Sequence, residues 1–387
     1  MSIKVEDYYA PATFQRMKAF ADTQETPFVV IDTAIISKAY DDLRAGFDFA
    51  SIYYAVKANP AVEIIDLLKD KGSSFDIASI YELDKVMGRG VTADRISYGN
   101  TIKKSKDIRY FYEKGVRLFS TDSEADLRNI AKAAPGSKIY VRILTEGSTT
   151  ADWPLSRKFG CQTDMAMDLL ILARDLGLVP YGISFHVGSQ QRDISVWDAA
   201  IAKVKVIFER LKEEDGITLK LINMGGGFPA NYITRTNSLE TYAEEIIRFL
   251  KEDFGDDLPE IILEPGRSLI ANAGILVSEV VLVARKSRTA VERWVYVDVG
   301  MFSGLIETMG EAIKFPLYTE KKGEMEEVVI AGPTCDSADI MYENYKYGLP
   351  LNLAIGDRVY WLSTGAYTTS YSAVEFNGFP PLKSFYL

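Results

Sequence analysis

Tyr53-Tyr54-Ala55-Val56-Lys57-Ala58-Asn59-Pro60 is an apolar run that stops at a lysine. Its aromatic and β-branched residues predict a strand, and Pro60 ends it. A helical pattern led by Ile64, Ile65, Leu67 and Leu68 follows. Strand, short turn and helix make the unit from which parallel α/β folds are built.

Working outward from this stretch, the same unit recurs. Strands are predicted at 52–57, 74–78, 95–98, 117–120, 139–143, 182–186, 219–224 and 260–264. Helical patterns lie between them at 165–176, 201–211 and 242–250, and Ser123 caps another that opens with Glu124-Ala125-Asp126-Leu127. Eight such strands predict a closed parallel (β/α)8 barrel, with an open doubly wound sheet as the runner-up. The barrel is favoured because polar residues able to do chemistry close nearly every strand: Lys57, Asp76, Asn100, Asp122, Arg142, His186, Gly225 to Gly227 and Glu264. Active sites of such barrels lie at that end of the strands.

Beyond about residue 270 the pattern changes. Strand-like runs at 277–284, 294–299, 328–330, 358–362 and 371–376 lack long helices between them and predict a separate all-β domain. The expected division is an N-terminal segment, 1–27, associating with the β-domain, a barrel over 28–270 and the β-domain over 271–387. The strand-like stretch 27–32 either joins the β-domain or bridges the two. Lys103-Lys104-Ser105-Lys106 reads as a solvated helix start.

A net charge of −10 over 387 residues argues against nucleic acid and anionic membrane as partners. No apolar run reaches the length of a membrane span. The acidic N-terminus, with Glu6 and Asp7, has no signal-peptide core, so a cytoplasmic location is expected. Two distant cysteines, Cys161 and Cys335, make no disulfide framework; each is a small buried residue or a functional thiol.

Several residues carry possible chemistry. A lysine at a strand end is partly stripped of water, which favours the neutral, nucleophilic amine that a Schiff base needs. His186 is the only histidine; a lone histidine is more often structural, but at a strand end its ring can lie flat on an aromatic ring. With no second histidine and no cysteine cluster, a metal site is not expected. Gly225-Gly226-Gly227-Phe228-Pro229 lets backbone N–H groups converge on an anion, although a tight turn alone would explain it. In Glu264-Pro265-Gly266-Arg267, Gly266 and Arg267 suit a phosphate, while Glu264 could keep a ring nitrogen protonated. Cys335-Asp336 couples a thiol to a carboxylate, and Tyr367 offers a phenol; burial in a turn and core packing are the plainer alternatives.

Together, Y-A-V-K-A-N, H-V-G-S, G-G-G-F-P, E-P-G-R and G-P-T-C-D, in this order over nearly the whole chain, resemble the fold-type III pyridoxal-phosphate decarboxylases of basic amino acids, the bacterial ornithine or ornithine/lysine type above all. The resemblance implies an alanine racemase-like fold and pyridoxal 5'-phosphate as cofactor. It implies that Lys57 holds the cofactor, that His186 stacks on its ring and that Glu264 pairs with the ring nitrogen. Asp76 and Arg142 would support lysine and ring, and Ser189, Gly226, Gly227, Gly266, Arg267 and Tyr367 would hold the phosphate. It also implies a homodimer with shared sites, in which Cys335 protonates Cα and Asp336 binds the substrate in the partner's site. The reaction so implied turns L-ornithine, or L-lysine, into the diamine and carbon dioxide. One departure stands out. An acidic residue that grips the distal amine in the family falls on Gly310 here, with apolar Met301 nearby; Glu307 and Glu311 are the candidates to replace it. A different or modified basic amino acid, decarboxylation-linked oxidation or cyclisation, and racemisation are the alternatives on the same scaffold.

Overall fold

All eight expected barrel strands form. In the computed structural model, which describes residues 3–145, 150–154 and 158–387, they span Ala50–Ala55, Ser74–Ile77, Ile96–Tyr98, Leu118–Thr121, Lys138–Arg142, Val179–Ser184, Leu221–Asn223 and Glu260–Leu263. They pair in parallel in chain order, and the last pairs with the first to close the barrel. Tyr53, Tyr140, Tyr181, Leu221 and Ile262 pack together from five of these strands. Gly182 is needed there, because a Cβ would lie 2.2 Å from the Leu221 carbonyl oxygen.

The helices form because each can bury one face. Val62–Asp70 buries Ile64, Ile65 and Leu68, at about 1.5–3 kcal/mol per side chain removed from water. Ser123 is a cap as expected, accepting from Asp126 N–H; Ser79 and Ser238 do the same for Glu82 and Thr241. Lys103 is not solvated. Its side chain is fully buried, and Nζ donates to Asp126 Oδ2 at 2.7 Å and to the Ser120 carbonyl at 2.7 Å. A buried ammonium requires such partners.

The chain divides into two units. The barrel unit comprises Ser37–Pro229 and Asn237–Arg267; the other comprises Met1–Ile36, Ala230–Thr236 and Ser268–Leu387. The division therefore differs from boundaries at 28 and 271. Phe28–Ile31 lies in the second unit because it pairs antiparallel with Gly274–Ala284 and parallel with Lys383–Tyr386. The rest of that sheet runs Leu317–Tyr318, Arg358–Leu362, Gly274–Ala284, Arg293–Val297, Met325–Ala331 and Ile340–Pro350. Its core includes Tyr9, Phe14, Met17, Phe28, Val277, Tyr360 and Leu362, so the N-terminal helix Pro11–Ala21 packs in this unit. Residues 371–376 are not a strand: Glu375 adopts a left-handed backbone that no strand accommodates. Among the described residues, no helix is long and apolar enough to cross a membrane.

Candidate active site

The first barrel strand ends at Ala55, and Val56–Ala58 turns as a short 3-10 helix that carries Lys57 off the strand end. Lys57 Nζ lies 3.5 Å from Asp76 Oδ2, on the neighbouring strand. The lysine side chain is 49% exposed and the aspartate 6%, so the amine is wetter than its apolar sequence surroundings suggest. Ser97 Oγ donates to the other oxygen of Asp76 at 3.4 Å. Gly99 makes room for that carboxylate: a Cβ would stand 1.9 Å from Asp76 Oδ1.

Glu264 follows the eighth strand. Asn223 Nδ2 donates to its Oε1 at 2.5 Å, and Asn223 Oδ1 accepts Gly225 N–H at 2.9 Å. One amide thus ties the carboxylate to the glycine turn. Burial, reinforced by the negative charge of Asp76, pushes the Glu264 carboxyl up from 4.5 to about 7; Lys57, Asn223 and Arg142 pull the other way. Arg142 itself is destabilised as a cation by burial and sustained by Glu264, Asp122 and Asp76.

His186 Nδ1 accepts Gly188 N–H at 3.0 Å, so its ring proton resides on Nε2. Burial, with Arg142 and Lys57 close by, holds its pKa well below the ordinary value. The imidazole is therefore neutral and flat-faced at pH 7. Beside it, Gly225 and Gly227 take φ of 63° and 99°. A Cβ on Gly226 would lie 2.6 Å from the Glu264 carbonyl oxygen and 3.4 Å from His186 Nε2; one on Gly227 would lie 2.6 Å from the Gly188 carbonyl oxygen. Ser189 Oγ accepts from Arg267 Nε at 3.1 Å, with both residues buried. Gly266, also buried, directly precedes that arginine.

The remaining candidates lie in the sheet unit. Cys335 is exposed, and its N–H donates to Asn377 Oδ1 at 2.9 Å. Asp336 Oδ1 accepts Ala338 N–H at 2.8 Å. Tyr367 has a left-handed φ of 57°, and its place around a phosphate is carried by the resemblance alone. Gly310 has φ 60° and open space around its Cβ position. Glu307 is buried. The carboxylate of Glu311, the other candidate to grip an amine, accepts the N–H groups of Glu343, Asn344 and Tyr345 at 2.8, 2.6 and 2.9 Å. Cys161, in the barrel unit, is the buried kind of cysteine, with its thiol pushed up to about 12 by burial.

Residues 33–271 match the family model described as pyridoxal-dependent decarboxylase, pyridoxal binding domain. The chain is 33% identical over 366 residues to the lysine/ornithine decarboxylase of Selenomonas ruminantium, covering 94% of this chain and 90% of that protein. It is 31% identical over 381 residues to ornithine decarboxylase of Saccharomyces cerevisiae, covering 92% and 79%. The crystal structure of a Vibrio vulnificus lysine/ornithine decarboxylase complexed with putrescine superposes with a TM-score of 0.87 at 28% identity, covering 98% of this chain and 99% of that one. The chain belongs to the pyridoxal-dependent decarboxylase family.

The barrel of this decarboxylase fits the family's cofactor on its own geometry. The glycine turn packs so closely on neighbouring backbone that it has no room for a Cβ, and Ser189 and Arg267 add buried donors of the kind a phosphate takes. A neutral imidazole face, an amine and a buried acid converge at the same strand ends. Sequence reasoning missed Asn223 and Gly99. Asn223 was visible as the polar last residue of an apolar strand, next to Gly225; nothing in the local sequence marks Gly99.

Proposed function

We propose that this decarboxylase converts a basic L-amino acid, L-ornithine or L-lysine, into the diamine and carbon dioxide. The observation that carries the reading is the linked set at the strand ends, in which Lys57 faces Asp76, and burial, reinforced by the charge of Asp76, raises Glu264. Bound pyridoxal phosphate supplies an aldehyde that captures amines and a ring that takes up the electron pair of a breaking Cα–carboxylate bond. Lys57 would hold it, with Asp76 keeping the amine in place. Glu264 would hold a proton at the ring nitrogen, and neutral His186 would lie against the ring without adding charge. Gly226, Gly227, Gly266, Ser189 and Arg267 would grip the phosphate, with Arg142 supporting the ring. Held at several points, the reacting bond is oriented before it breaks.

In the homodimer we propose, Cys335 and Asp336 serve the partner subunit's site, Cys335 giving Cα its proton and Asp336 receiving the substrate's distal ammonium. The enzyme would work in the cytoplasm. One observation favours a second reading, a longer or modified basic amino acid: Gly310 has no side chain, and Glu311 is bound to backbone. The test is a panel of L- and D-ornithine, lysine, arginine and diaminopimelate with products read by mass spectrometry. L-ornithine or L-lysine should give the highest kcat/KM. Preference for a D-isomer or for diaminopimelate would overturn the proposal, and preference for arginine would favour the second reading.

A further inference from the structure

Cys335 sits on an irregular loop, Gly332-Pro333-Thr334-Cys335-Asp336-Ser337. A thiol that delivers a proton to one particular atom has to be held within a fraction of an ångström, which a loop does not do unaided. Two side chains of the sheet unit fasten this loop. On the buried side Asp339 accepts the Thr334 N–H at 3.1 Å, the Thr334 hydroxyl at 2.6 Å and the Met301 N–H at 2.8 Å. Its carboxylate stands so close to Gly300 and Gly332 that a Cβ would come within 2.2 and 2.4 Å of it. That side is therefore packed tight.

On the exposed side the Cys335 N–H donates to the amide oxygen of Asn377. Asn377 reaches it from a left-handed backbone, φ 53°, one residue after Phe376 and two after Glu375, itself left-handed at 55°. Asparagine tolerates this region better than most residues. The turn is anchored by Phe376, whose ring packs 5.0 Å from Phe302, and by the Ala373 N–H, which donates to the Phe302 carbonyl at 2.9 Å. Phe302 follows Met301, which hangs from Asp339. The two fastenings of the loop thus meet through Met301-Phe302.

We propose that Asn377 is a positioning residue for Cys335: its amide oxygen fixes the backbone N–H at that position and so the direction of the thiol. The inference rests on the reading of Cys335 as the acid that protonates Cα.

The test uses the holoenzyme with its best substrate from the panel. If the proton goes to the cofactor carbon rather than to Cα, the amino group stays on the cofactor. Water then releases an aminoaldehyde, the substrate carbon oxidised by two electrons and the cofactor aldehyde reduced to the amine. The ratio of aminoaldehyde to diamine therefore reports where the proton lands. Asn377→Gly keeps the left-handed turn and removes the acceptor; Asn377→Asp keeps the acceptor. Asn377→Gly should raise the ratio about tenfold, the scale of one lost hydrogen bond, with KM near wild type, and Asn377→Asp should stay within about twofold. Iodoacetamide should alkylate Cys335 about threefold faster in Asn377→Gly, read on its peptide by mass spectrometry. A wild-type ratio in Asn377→Gly, with a raised ratio in Cys335→Ala, overturns the positioning role alone. An unchanged ratio in Cys335→Ala removes the acid role, and the proposal with it.

Discussion

In the barrel unit, Gly188, Gly225 and Gly227 supply the positive φ angles beside the site, and Gln190 is the only described non-glycine residue of that unit to share them. In the sheet unit Glu311, Ser363, Tyr367, Glu375 and Asn377 do so with side chains attached. A left-handed non-glycine residue costs about 1–2 kcal/mol, and its surroundings must hold it there. Those surroundings are visible. Ser363 accepts from Asn272 Nδ2 at 2.8 Å and donates its N–H to Tyr9 Oη at 3.1 Å, and Glu311 is bound to three backbone N–H groups. The barrel therefore shapes its site with bare backbone, whereas the sheet unit shapes its loops with residues that carry side chains. Damage to the first should come from residues in the cradle, damage to the second from residues at a remove.

The largest effect expected tests the barrel half of that contrast. Lys57→Ala should lower kcat/KM at least about a thousandfold and abolish the visible band of protein reconstituted with pyridoxal phosphate. A band of wild-type intensity would mean that the amine which carries the cofactor lies elsewhere. Next comes Glu264. In the cofactor-free folded protein its carboxyl keeps its proton up to about 7, while the unfolded chain loses it near 4.5. The stability this confers is complete below 4.5 and disappears as pH rises through 7. Glu264→Gln has no such proton to lose, so its stability relative to wild type should grow by about 2–3 kcal/mol between pH 5 and pH 8 in urea unfolding. An equal difference at the two pH values would show that the carboxyl is not buried as described. The smallest effect belongs to the sheet unit. The backbone donors of Glu343, Asn344 and Tyr345 outweigh burial and hold the Glu311 carboxyl below its usual range. Glu311→Gln should cost about 1–2 kcal/mol in unfolding experiments and leave cofactor affinity unchanged. Loss of the cofactor in this variant would erase the distinction between the two units.

The barrel was legible because nearly every strand ends on a polar residue able to do chemistry, and the helices between carry a clean 3.6-residue pattern. The sheet unit was less so. Ile340–Pro350 contains Glu343, Asn344 and Lys346 in its middle, which hide a strand whose exposed face is polar. The stretch 371–376 shows the opposite error: aromatic and β-branched residues there read as a strand, while the left-handed turn through Glu375 and Asn377 depends on Phe302, far away in sequence. Lys103 failed for a similar reason, since its partner Asp126 and its carbonyl acceptor at Ser120 are brought to it only by the closing of neighbouring strands. The cofactor residues of the barrel could be found from motif and strand position. Asn223, Gly99 and Asn377 act through another residue, and a single sequence does not display such relationships.

Phe28–Ile31 has one more consequence. It is flanked by Gly274–Ala284 on one side and by Lys383–Tyr386 on the other, so synthesis has to reach Tyr386 before this strand has both neighbours. Until then a fully apolar segment, Phe28-Val29-Val30-Ile31, presents an unpaired edge of the kind that recruits other chains. Deletions that remove Lys383–Tyr386 would leave that edge open permanently, and loss of solubility, rather than loss of catalysis, is the failure to look for in them.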